Sequence, residues 1–173
     1  MLKSKIWLLC FSLFFASSSI SAESMFGVFN LFSKKRDVIF SEVKGQLLDK
    51  GKPMSGIVIQ QHWSFAGNND QMRETVTDKD GNFTFEIIDE PRKIRGPFFE
   101  IGVPQELTAT IGGEEITLWG GVKHSLEDKS EYRGKDFSIV CDITNPYIKR
   151  EGQEYLRSRC LHLSMIKTED NYE

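Results

Sequence analysis

Long apolar runs are scarce in this 173-residue chain. Beyond Phe15 there is none, so that part holds no candidate for a membrane-crossing helix, which needs about 20 apolar residues. Cysteine is equally scarce: Cys10, Cys141 and Cys160 are all there are. None forms a CxxC pair, the usual arrangement of thiolate metal sites. The three histidines, His62, His124 and His162, have no His or Cys at metal-ligand spacing, and neither HExxH nor GxSxG occurs. No glycine-rich phosphate loop precedes a helical pattern, and no internal repeat or low-complexity segment is present. An excess of basic charge is also missing. The formal net charge is -3, whereas a nucleic-acid binder is usually basic. The expectation is a chain with no metal, no cofactor, no nucleic-acid partner and no catalytic constellation.

What is present begins with MLKSKIWLLCFSLFFASSSISAES. Lys3 and Lys5 make a positive start, Ile6–Phe15 is a short apolar stretch, and Ser17–Ala22 is small and mostly polar. That is the layout of a secretory signal peptide over residues 1–22, with cleavage after Ala22 or earlier, near Ser18. Losing Lys3 and Lys5 takes the basic count from 22 to 20 against 25 acidic residues, a mature charge of -5. Cys10 leaves with the leader. Cys141 and Cys160 remain as an even pair in an exported chain, which argues for one disulfide. It closes a loop of about 20 residues and stabilises by roughly 3 kcal/mol. A periplasmic or secreted location follows, with no integral membrane segment once the leader is gone.

Residues 23–36 form a lead-in, with Phe26, Phe29 and Phe32 at a spacing of three and a basic end at Lys34, Lys35 and Arg36. A strap on the core, a linker and an amphipathic helix on a membrane or partner surface all fit. From residue 37 to 166 the pattern is β, followed by a tail over 167–173. Strands are expected over 37–48, 56–65, 72–78, 82–88, 97–103, 107–111, 115–119, 137–143 and 160–166, with a loop at 66–70. Gly112–Gly113 marks a hairpin, because both glycines accept positive φ. Asn145 and Pro146 suit the start of a short helix within 145–159. Eight or so short strands with frequent turns predict an all-β, antiparallel Greek-key β-sandwich.

The stretch TVTDKDGNFTFEI (75–87) places Asp78, Asp80 and Asn82 like the first ligands of a calcium loop. Position six of such a loop should be Gly and position twelve Glu; here they are Phe83 and Asp89. Phe83, Phe85 and Ile87 alternate with Asn82, Thr84 and Glu86, the period of a half-buried strand. A turn is therefore expected at 78–81, with Asp side chains bonding local amides and Gly81 in the left-handed region.

This stretch, with KGQLLDKGKPMSGIVIQ (44–60) before it, resembles the carboxypeptidase regulatory-like or transthyretin-like β-sandwich domains. The resemblance rests on Gly45, Pro53, Gly56, Val58, Thr77, Asp78, Gly81, Phe83 and Phe85, and covers about the first half of the mature chain. It implies a seven- or eight-stranded Greek-key sandwich with Asp78 and Gly81 in a hairpin. Such domains are commonly accessory or binding modules, and the fold alone does not give a function.

Loops cluster at the ends of a sandwich and carry binding residues. Trp63 and Phe65 precede the tip bearing Asn68 and Asn69; Trp119 precedes the loop holding His124, Glu127, Asp128 and Glu131. These are the candidate binding residues, with Trp63 and Trp119 equally at home in a core. The function expected is non-enzymatic binding of another protein, as by a periplasmic inhibitor or an immunity protein against a cell-envelope toxin or hydrolase. Glycan or peptidoglycan recognition through Trp63 and Trp119, an envelope-structural accessory role, and a hydrolase using His124 or unpaired acids are the alternatives.

Overall fold

The structure is a computed structural model and describes residues 35–96, 99–149 and 156–163. The leader, nearly all of the lead-in and the tail lie outside the described residues. Among the described residues the chain is all-β, with no α-helix and a short 3-10 turn at Ser130–Tyr132. Among the described residues no helix is long and apolar enough to cross a membrane.

The strands run β1 Arg36–Phe40, β2 Val43–Asp49, β3 Lys52–Pro53, β4 Val58–Phe65, β5 Asn68–Val76, β6 Asn82–Phe85, β7 Ile88–Pro91, β8 Val103–Ile111, β9 Glu114–Lys123, β10 Phe137–Asp142, β11 Ile148–Lys149, β12 Arg157–Ser158 and β13 Cys160–His162. One sheet has the order β11-β12-β9-β8-β4-β5; a second has β13-β10-β2-β3, with β6 also on β2; a third is the β1–β7 pair. Buried residues of the two larger sheets, among them Val43, Leu47, Ile59, Phe83, Leu107, Leu118 and Ile139, share one core cluster. Burying large aliphatic and aromatic side chains from both sheets in one cluster is the main stabilising term.

Local chemistry explains several elements. Ile111 pairs with Glu114 across Gly112–Gly113, whose φ values are +61° and +86°, so the expected two-residue hairpin is there. The 78–81 turn is held as expected. The Asp78 carboxylate accepts from the amides of Asp80 at 2.9 Å and Asn82 at 2.7 Å, and Gly81 has φ +76°. It is not a hairpin, however: β5 pairs with β4, while β6 pairs with β2 in the other sheet. Phe83 and Phe85 are buried among residues of both sheets, so the turn carries the chain across the core rather than back along one sheet.

Four further expectations are corrected. The single strand over 37–48 breaks at Ser41, where a buried hydroxyl is drawn toward Glu131. The pairing is not wholly antiparallel, because β10 runs parallel to β2 from Phe137 opposite Val43 to Asp142 opposite Leu48. The 66–70 loop is only a tight turn at Ala66–Gly67, both at positive φ, with β5 already begun at Asn68. The helix over 145–159 is absent from its described ends: Ile148–Lys149 pairs antiparallel with Arg157–Ser158. Residues 150–155 lie outside the described residues. Asn145 does not cap; its amide donates to the Arg159 carbonyl at 3.0 Å, and the Arg159 guanidinium donates back to the Asn145 carbonyl.

Two polar devices tie these elements together. Lys123 and Glu131 form an ion pair of 3.0 Å, with side chains 0% and 2% exposed. Glu131 also accepts from the Ser41 hydroxyl at 2.7 Å, the Ser41 amide at 3.1 Å and the Gln105 amide at 3.1 Å. Burial pushes the Lys123 ammonium down from its ordinary value, against the pull of Glu131. Burial acts to raise the Glu131 carboxyl, but Lys123 and Ser41 more than offset it and hold it low. The second device is the disulfide between Cys141 and Cys160, direct partners across β10 and β13 and both buried.

Breaking one half of a buried, hydrogen-bonded ion pair leaves an unpaired charge and costs about 3–5 kcal/mol. Lys123→Met or Glu131→Leu alone is expected to lower unfolding stability by about that amount. The double variant is expected to recover much of it, measured by urea denaturation with the disulfide intact. Asp142 supplies a pH prediction. Burial acts to raise its carboxyl, but bonds from the Thr144 hydroxyl and from the amides of Thr144, Gly51 and Lys50 bring it to about 2 from an ordinary 3.8. Its contribution is full above pH 4 and is lost as pH falls toward 2. In Asp142→Asn, acid unfolding curves should lose that part of their slope.

Candidate functional site

The outer face of the six-stranded sheet, away from the shared core, carries a groove of about 570 Å3. Strand register builds it. Met72 of β5 lies opposite His62 of β4, His62 opposite Glu106 of β8, Glu106 opposite Gly120 of β9, Gly120 opposite Arg157 of β12, and Arg157 opposite Lys149 of β11. Residues aligned in this way share one face of a sheet. Their immediate neighbours Gln61, Leu107, Trp119 and Ser158 are buried on the other side. One row across six strands thus collects an apolar side chain, an imidazole, a carboxylate, a bare backbone position and two cations.

Gly120 is the floor. A β-carbon there would lie 2.7 Å from the Tyr147 hydroxyl, so the absence of a side chain lets Tyr147 lie over β9. This is a recurring use of glycine inside a strand. Burial raises the Tyr147 phenol above its ordinary value, and the nearby Glu106 charge adds to that. Thr117 donates to Glu106 at 2.9 Å and fixes one carboxylate oxygen. Next to the floor, the β8–β9 register shifts between Leu107 and Thr108. The shift frees the Leu118 carbonyl to accept from the Arg159 amide at 2.8 Å, which seats the chain beside β12.

Trp63, Asp70 and Val122 complete the lining used here. Arg157, Asp70 and the Tyr147 hydroxyl make no hydrogen bond or ion pair among the described residues. Val122 is 37% exposed and Met72 50% exposed. The groove therefore offers uncommitted donors and acceptors beside exposed apolar surface. Its glycine floor and neighbouring opposite charges suit a polar ligand lying flat on the sheet. Among the described residues no cluster of three or more His, Cys, Asp or Glu is arranged to hold a metal ion.

Of the residues singled out in the sequence, only Trp63 reaches this groove, and it is half-buried against both core clusters. Trp119 is core: it is 2% exposed, its indole donates to the Tyr132 hydroxyl at 2.9 Å, and its ring lies 4.7 Å from Phe137. Phe65 is also buried, beneath the Arg95 guanidinium, whose carbon is 5.2 Å from the ring centre. Asn68 and Asn69 open strand β5 rather than forming a loop tip. His124 is exposed, with its ring nitrogen 3.1 Å from the Ile101 carbonyl, and is not part of the groove. Glu127 is engaged by Lys35 at 2.8 Å and Arg92 at 3.0 Å. Asp128 is exposed beside Lys129 and Asp136 in a separate hollow. Glu131, expected in a solvated acidic loop, is buried.

The structure is that of an all-β domain with a buried disulfide and an open groove on one sheet face. Residues 43–146 match a family model described as a domain of unknown function, DUF6795, and the chain belongs to that family. The match spans β2 to β10 and ends one residue before Tyr147. No curated protein and no solved structure matches the chain.

Gly120→Val is expected to push Tyr147 off the floor while changing stability by under about 1 kcal/mol, since only the tip of a flexible side chain must move. Its phenol should then ionise at lower pH, nearer the ordinary tyrosine value. An ultraviolet alkaline titration, assigned with Tyr147→Phe, reads the shift.

Proposed function

We propose that this chain is a non-enzymatic exported module that binds another protein. It acts as a periplasmic inhibitor or immunity protein does, on a cell-envelope toxin or hydrolase. In this reading residues 1–22 are a cleaved leader and the domain is a transthyretin-like Greek-key sandwich. The core shared by the two larger sheets supports the sandwich. The buried disulfide is compatible with an oxidising compartment.

The observation that carries the binding reading is the groove: uncommitted Arg157 and Asp70, half-free Glu106 and exposed Val122, with exposed Met72 in the same cross-strand row outside the lining. Mixed charge around exposed apolar and aromatic residues is the composition of protein-binding surfaces. Glycan stacking loses one of its two platforms, because Trp119 is buried. The hydrolase reading loses its named base, because His124 stands outside the groove.

The test uses the oxidised mature protein as bait on envelope extracts, alongside Arg157→Glu, Tyr147→Ala and the remote Lys79→Glu. One stoichiometric partner held by wild type and Lys79→Glu, and lost from both groove variants, is the expected outcome. A partner held equally by all four proteins would place the contact elsewhere. Retention of glycan with no protein would replace this reading.

A further inference from the structure

The spacing of charges along the groove says what kind of segment it takes. Glu106 lies on β8 and Arg157 on β12, with only β9 and its Gly120 between them. Neighbouring strands are about 4.8 Å apart, so these two columns are separated by about 10 Å. Asp70 and Glu106 make one side of the groove negative; Arg157 makes the other positive, with Lys149 its strand partner just outside the lining. Between them Gly120 offers bare backbone that the Tyr147 hydroxyl closely approaches, and Pro104 and Val122 also line the groove.

A chain crossing this floor runs across the strands, so it cannot join the sheet by backbone pairing. It must present side chains of opposite charge on one face, about 10 Å apart. An extended β-strand fails this, because residues three apart point to opposite sides. A polyproline-II segment satisfies it: with three residues per turn and about 3.1 Å rise, positions i and i+3 share a face about 9 Å apart. Such segments dock in aromatic-lined grooves with little entropy to lose. We infer that the groove recognises a proline-rich, polyproline-II segment of the partner protein, with a basic residue over Glu106 and an acidic residue three positions away over Arg157. This rests on the protein-binding reading above and specifies the part of the partner that is bound.

The probes are three capped peptides: Pro-Lys-Pro-Pro-Glu-Pro, its two-residue-spaced counterpart Pro-Lys-Pro-Glu-Pro-Pro, and the uncharged Pro-Gln-Pro-Pro-Gln-Pro. Binding to the oxidised domain is followed by amide chemical shifts, with Gly120 and Gly121 as reporters. The first peptide should bind at least about tenfold more tightly than the other two. The preference should fade with added salt, as expected of exposed charges. Arg157→Glu should abolish it. Glu106→Lys combined with Arg157→Glu should restore it with the peptide reversed, which a merely unfolded variant would not do. Equal binding of all three peptides, or shifts away from Gly120, overturns the inference. If none binds while an extract partner still depends on Arg157, the segment class is wrong and the protein-binding reading survives. If no partner depends on Arg157 either, both fall.

Discussion

The described course of the chain from residue 124 to β10 hangs on the buried contact of Lys123 with Glu131 and Ser41. The segment between β9 and β10 is polar and would by composition be a free loop. Two charges taken out of water are costly unless their remaining hydrogen-bonding capacity is met. Here Ser41, Gln105 and Lys123 together satisfy Glu131. Pinning Glu131 places Tyr132 beside it, where its hydroxyl accepts from the Trp119 indole and its ring meets Phe137 and His162. Phe137 opens β10. The chain therefore enters the second sheet parallel to β2, and the Cys141–Cys160 bond can close across β10 and β13.

That closure has a consequence on the far side of the six-stranded sheet. Tyr147 and Arg157, which line the groove, and Lys149, which pairs with Arg157, lie between the two cysteines in the chain. The two-residue β11–β12 ladder is too short to hold them alone. The disulfide, the reciprocal Asn145–Arg159 bonds and the Leu118 carbonyl freed by the bulge do so together. Formation of the disulfide and geometry at the groove are thus linked through one segment.

The sheet-forming stretches were readable because a half-buried strand must alternate, and glycine pairs at a two-residue turn have few other uses. That is why 58–65, 82–85 and the Gly112–Gly113 hairpin emerged from pattern alone. The candidate site did not. Trp63 and Trp119 look alike in sequence, since aromatic strand residues suit a core and a surface equally; only the bulge that turns Leu118 and Trp119 inward separates them. Glu106, which falls between the strands expected over 97–103 and 107–111, and Arg157, placed in the segment read as a short helix, carried no local mark. Gly120–Gly121 did: glycines inside a strand signal close approach of another group. Taken as the start of a loop, they hid the floor of the groove.

By itself the sequence determined the all-β class, the pairing available to two cysteines and the turn at Asp78–Gly81. These depend on period, count and side-chain chemistry within a few residues. Which sheet each strand joined, the parallel β2–β10 pair, the burial of Glu131 and the six-strand row through Gly120 were decided only by tertiary structure. They depend on register between segments up to about a hundred residues apart, and a one-residue slip would turn each side chain to the opposite face.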